Sequence, residues 1–125
     1  TVRSLYATGR FNQAFVEPVL DPKTGEMVWF AYGVGDMPLS AGMSYGRTAP
    51  DGTLISRQDF QAPFACMVHD FMVTQNHALF PILPLTASLQ RAMTGLPPFA
   101  WEPEKGAYVG VMALLLLAER FLTLA

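Results

Sequence analysis

Apolar positions along this chain come in short runs broken by Gly, Pro, Asp and Asn, not in long amphipathic stretches. The segment "SLYATGRF" alternates and stops at Gly9. In "LDPKTGE", Asp21, Pro22 and Gly25 supply turn chemistry. "EMVWFAYGVG" is rich in aromatic and β-branched residues and predicts a strand over Met27–Val34. "AGMSYGRT" predicts a second strand, and "APDGT", with Pro50 and Asp51-Gly52 between apolar runs, is a hairpin signal. "LISRQDF" predicts a third strand, with Leu54, Ser56 and Gln58 on one face and Ile55, Arg57 and Asp59 on the other. "CMVHDFMVT" predicts a fourth, "QN" a tight turn, and "HALFPIL" a fifth. Strands of this length, separated by such turns, predict an all-β antiparallel meander across residues 26–81, of the propeller or barrel kind.

Two stretches break that rhythm. In "TASLQRAMTG", Thr86 can cap, Leu89 and Met93 lie four apart, and Gly95 can end a turn, which predicts one short helix near residues 86–93. A proline-rich loop follows, then a strand over Tyr108–Met112. Residues 113–124 are dominated by Ala, Leu, Glu and Arg without Gly or Pro, and predict a C-terminal helix.

Composition changes the picture in one respect. The 125 residues suffice for a real core, but 51% are hydrophobic and only 14% charged, more apolar than a typical soluble domain. Such a chain either covers apolar surface with something else or belongs to a larger body. The absence of a starting Met agrees with a partial chain. A net charge of −2 without a basic run argues against nucleic acid as a partner. The single Cys66 excludes an internal disulfide framework and a cysteine-only zinc site, and reads as a small core residue. Thr1–Arg10 lacks the apolar centre of a signal peptide, so a cytoplasmic location is expected. The apolar run from Ala107 to Ala118 is too short to span a bilayer, although peripheral contact with a membrane surface is an alternative use for it.

The chemistry centres on "MVHDFMVTQNHALFPILPL". If this stretch is a strand, Met67, His69, Phe71 and Val73 share a face, and that face is mostly apolar. A histidine there is either a satisfied core residue or a metal ligand, since imidazole on a rigid frame suits redox iron. The pattern alone leaves both readings open. Asp70 faces away from His69, His77 reads as an ordinary strand residue, and Glu102 and Glu104 read as solvated turn residues. Phe15, Trp29, Phe30 and Tyr32 could line an apolar tunnel or simply form core.

The same stretch resembles the M-x-HDF-x-x-T-x-N-x-x-x-F-x-x-x-P-L segment of the carotenoid oxygenases, the carotenoid, apocarotenoid and lignostilbene cleavage dioxygenases. "VEPVLDPKTGEMVWFAYG" resembles that family's AHPK-x-DP-x-TGE-x-x-x-F-x-Y stretch. "LQRAMTGLPPFAWEPEKGAYVGVM" resembles its helix, W-x-P-x-x-G turn and G-V-M strand, so the likeness runs over roughly residues 6–112. The resemblance implies a partial chain of a seven-bladed β-propeller (residues 1–112) with a divergent apolar extension (residues 113–125). It further implies Fe(II) held on the axis by four histidines, and cleavage of a conjugated double bond of an apolar polyene or stilbene by O2 into two carbonyl products. His69 matches the second of the four ligands in chain order, and Glu17 stands where the family has its first. Two function classes follow: part of an iron dioxygenase, or a non-catalytic propeller-like piece without a functional metal site.

Overall fold

The computed structural model describes residues 15–114 and 119–124, with backbone only at 15–17 and 119–121. It divides into two compact units, Thr1–Gln61 and Ala62–Ala125.

The first unit is one antiparallel sheet of four strands in sequential order: β1 (Phe15–Leu20), β2 (Met27–Tyr32), β3 (Gly42–Thr48) and β4 (Leu54–Gln61). The turn chemistry is as expected. The Asp21 carboxylate accepts the Lys23 N–H at 2.8 Å, and the Gly25 N–H bonds back to the Asp21 carbonyl at 2.8 Å. In the β3–β4 hairpin the Asp51 carboxylate accepts the Thr53 N–H at 2.9 Å, and Gly52 takes φ +93, open to a residue without Cβ. These backbone N–H donors hold both carboxyls below the usual carboxylate range.

β2 is buried on both faces. Val28, Phe30 and Tyr32 lie on one, and Trp29 and Ala31 on the other. The Trp29 ring crosses β3 at Gly46, its register partner, and its indole N–H donates to the buried Thr48 hydroxyl at 3.0 Å. Trp29, Phe30 and Tyr32 are therefore core residues. The alternation in β4 is weak: only Phe60 is buried along it, as befits an edge strand.

The second unit holds a four-stranded antiparallel sheet in the order β10-β9-β6-β5, with a two-stranded ribbon β7-β8 inserted between β6 and β9. The strands are β5 (Met72–Val73), β6 (His77–Ile82), β7 (Leu85–Ala87), β8 (Phe99–Trp101), β9 (Ala107–Ala113) and β10 (Glu119–Leu124). Ala78, Phe80 and Ile82 of β6 and Met112 of β9 are fully buried and form its core.

Three expectations are corrected here. The C-terminal helix over residues 113–124 does not form: Ala113 ends β9, and Glu119–Leu124 pairs with it as β10, from Glu119↔Met112 to Leu124↔Ala107. The free edge of β9 offers a complete ladder of backbone partners, and that outweighs a few tenths of a kcal/mol per residue of helix propensity. Residues 115–118 lie outside the described residues. The short helix is α1 (Leu89–Met93), and its cap is Ser88, whose hydroxyl accepts the Arg91 N–H at 3.2 Å. Thr86 lies instead in β7. The proline-rich "loop" contains β8, paired with β7 from Leu85↔Trp101 to Ala87↔Phe99. The alternating segment at residues 4–11 lies outside the described residues. Among the described residues no helix is long and apolar enough to cross a membrane.

Candidate metal centre

His69 is not in a strand. β5 is only Met72–Val73, and residues 67–71 carry no ladder. The cause lies across the hairpin. Thr74 and His77 close the tight turn, the Thr74 N–H donating to the His77 carbonyl at 2.8 Å, and the register runs Val73↔Ala78, Met72↔Leu79. Continued, it would set Asp70 against Pro81, and Pro81 has no N–H to donate. The ladder stops, and the chain leaves the sheet just where His69 and Asp70 lie.

The period-2 face assignment fails for the same reason. Val68 and Phe71 are both buried, at 2% and 5% exposure, while His69 and Asp70 between them are exposed. The pair forms a short arch pinned at both ends. On the far side Phe71 stacks on Phe80, centroids 5.6 Å apart and planes within 3°. On the near side Cys66 bridges to Thr86: the Met67 N–H donates to the Leu85 carbonyl at 3.0 Å and the Ala87 N–H to the Ala65 carbonyl at 2.8 Å. His69 is thus neither a satisfied core histidine nor a strand residue. It is an exposed imidazole on a fixed backbone, which is a geometry suited to ligation.

Around it the donors are sparse. Cys66 is buried, and burial pushes its thiol up to about 11, as for a small unreactive core residue. Asp70 Oδ1 accepts the Phe71 N–H at 2.8 Å. His77 is exposed at the start of β6, facing solvent as an ordinary strand residue. The backbone of Glu17 lies in β1, opposite Phe30, within the first unit; its side chain is outside the described residues. Among the described residues no three His, Cys, Asp or Glu side chains gather as a metal ion would need. The described side chains therefore do not by themselves make an iron site. Anaerobic titration of this chain with Fe(II) should show no site that saturates at micromolar metal. A tight one-to-one site abolished by His69→Ala would overturn this.

The sequence reading missed a polar cluster beside this region. Glu102 is not simply solvated. Its carboxylate accepts from the Thr86 hydroxyl and from Arg91 Nη1 at 3.3 Å. Arg91 Nη2 donates to the Thr86 carbonyl at 2.7 Å and to its hydroxyl oxygen at 2.8 Å, and reaches the Pro98 carbonyl at 3.4 Å. The Thr86 hydroxyl and, second to it, the Arg91 guanidinium hold the Glu102 carboxyl below its ordinary value of 4.5. A depressed folded-state pKa stabilises the fold above the unfolded value and loses that contribution as pH falls through the folded one. The β7–β8 ribbon should therefore loosen in acid, below about pH 4.5. Amide exchange at Ala87 against pH reads this, and Glu102→Gln should flatten the acid dependence.

Comparison with known proteins places the chain. Residues 4–114 match the family model described as retinal pigment epithelial membrane protein. The chain is 40% identical over 96 residues to an isoeugenol monooxygenase of Pseudomonas putida, covering 76% of this chain and 20% of that protein. It is 33% identical over 102 residues to lignostilbene-alpha,beta-dioxygenase isozyme III of Sphingomonas paucimobilis, covering 81% and 21%. The crystal structure of the Pseudomonas brassicacearum lignostilbene dioxygenase superposes with a TM-score of 0.82 at 35% identity, over 93% of this chain and 25% of that one. The chain thus spans about a fifth of the length of these curated relatives. With nearly all of its length matched in sequence, and its antiparallel sheets matched in structure, the chain belongs to the carotenoid oxygenase family.

Proposed function

We propose that this chain is part of a non-haem Fe(II) dioxygenase that cleaves a conjugated C=C bond of an apolar polyene or stilbene. The overall reaction, R–CH=CH–R′ + O2 giving R–CHO + R′–CHO, balances with no further reductant. The observation that carries the proposal is His69: the imidazole of the family's HDF motif stands exposed on a segment held at Cys66–Met67 and at Phe71. His69 is proposed as an iron ligand, with Glu17 at the position of a second. Two four-stranded antiparallel sheets, one with a central strand buried on both faces, support reading the units as blades of a seven-bladed propeller. Residues 113–125 are proposed to be divergent in sequence only, since Ala113 ends β9 and Glu119–Leu124 completes the second sheet as β10.

One observation favours a second reading. Glu17 replaces an imidazole by a carboxylate of different charge and reach. A piece with one matched ligand would then be propeller-like but non-catalytic. The test is a graft. Residues 15–113, carrying Glu17→His, replace the matching segment of a lignostilbene dioxygenase, and iron content and aldehyde products are measured. Retained iron and both aldehydes are expected. A folded graft without either sinks the proposal.

A further inference from the structure

The segment that carries His69 is bonded to β7, and β7 is poorly held by its own backbone. It has three residues, its partner β8 has three, and α1 beside them has five. A two-stranded ribbon and a single helical turn of that length are marginal in water. The side chains of one cluster supply what the backbone does not. From α1, the Arg91 guanidinium reaches the carbonyl and hydroxyl of Thr86 in β7, the carbonyl of Pro98 before β8 and the carboxylate of Glu102 after it. The Thr86 hydroxyl gives its single proton to that same Glu102 carboxylate, and the Ala100 carbonyl of β8 lies 3.3 Å from its oxygen. Thr86 is in turn the bridge partner of Cys66, three residues ahead of His69.

We propose that Arg91, with Glu102 as its counter-ion, is a positioning residue for His69. It fixes β7, and β7 fixes Ala65–Met67 through the two bonds from Met67 to Leu85 and from Ala87 to Ala65. The C-terminal foot of the arch is set independently, by the Phe71–Phe80 stack. Removing the guanidinium frees only the N-terminal foot. The inference rests on His69 as the proposed ligand. The planar fork matters here, because one group must serve several acceptors in fixed directions, and a lysine ammonium is a single flexible point charge.

The experiment uses the full 125-residue chain and nitrogen-15 relaxation. The His69 amide should be rigid, with an order parameter of about 0.85, and Arg91→Ala should lower it below about 0.6. Exchange of the Met67 and Ala87 amides should quicken by about 10-fold or more, the cost of losing charged hydrogen bonds. Amides of β2, in the first unit, should not change, which separates this role from a general loss of stability. Arg91→Lys should fall between the two. Should Arg91→Ala fail to fold, Glu102→Gln gives the same direction with a smaller effect. An unchanged His69 order parameter in a folded variant overturns the inference. Neither readout involves iron or product, so its failure is distinct from failure of the proposed function.

Discussion

Gly46→Ala should be among the most damaging single substitutions in the first sheet. A Cβ at this position would stand 2.3 Å from the Trp29 ring and 2.6 Å from the Ser56 carbonyl oxygen. Neither neighbour can yield cheaply. The ring is fully buried and its indole N–H is tied to Thr48 at 3.0 Å; the oxygen belongs to the backbone of β4, registered against β3 by Arg47↔Ser56. Overpacking of this kind costs about 3 kcal/mol, a large share of the 5–15 kcal/mol that holds a domain together. We expect the unfolding midpoint to fall by on the order of 10 °C. Gly95→Ala is the control. Nothing lies within 4 Å of a Cβ there, and only its φ of +79 opposes a side chain, so it should cost about 1 kcal/mol. Equal losses at the two positions, read by thermal denaturation, would show that the close approach of Trp29 to Gly46 is not what stabilises the sheet.

In the graft described above, His69→Ala should lower iron content and product formation by at least about 100-fold. Changes to groups that merely support a metal ligand cost 10- to 100-fold, so loss of a donor sets the lower bound at the top of that range. The fold itself should survive. His69 is exposed and makes no packing contact that an alanine would leave as a cavity. The graft with native Glu17 should lie between the two extremes, holding iron more weakly than the Glu17→His version, because a carboxylate changes both charge and reach at that position. Circular dichroism on each variant separates folding from ligation. If His69→Ala leaves iron and aldehydes unchanged in a folded graft, His69 is not a ligand. If native Glu17 supports the same iron content as histidine, the carboxylate is itself competent, and the non-catalytic reading loses its only support.

Most strands were legible because the signals that define them are local. Between Met27 and Ile82, aromatic and β-branched runs bounded by Pro50-Asp51-Gly52 and Gln75-Asn76 fix where the chain can be extended and where it must turn. The HDF motif and its spacing to Thr74, Asn76 and Phe80 were equally visible. What remained hidden depends on partners distant in sequence. Residues 119–124 contain good helix formers and still pair with β9, because an open edge supplies every backbone bond. Glu102 reads as a solvated turn residue until β7 and β8 bring Thr86 and Arg91 to it. His69 leaves the strand predicted for it because Pro81, on the opposite arm of the hairpin, has no N–H to continue the ladder. The sequence by itself determined which residues could carry the chemistry and where the chain turns. The tertiary structure alone decided that His69 stands exposed on a pinned arch, since its exposure follows from where the pairing ends and not from the alternation of its neighbours.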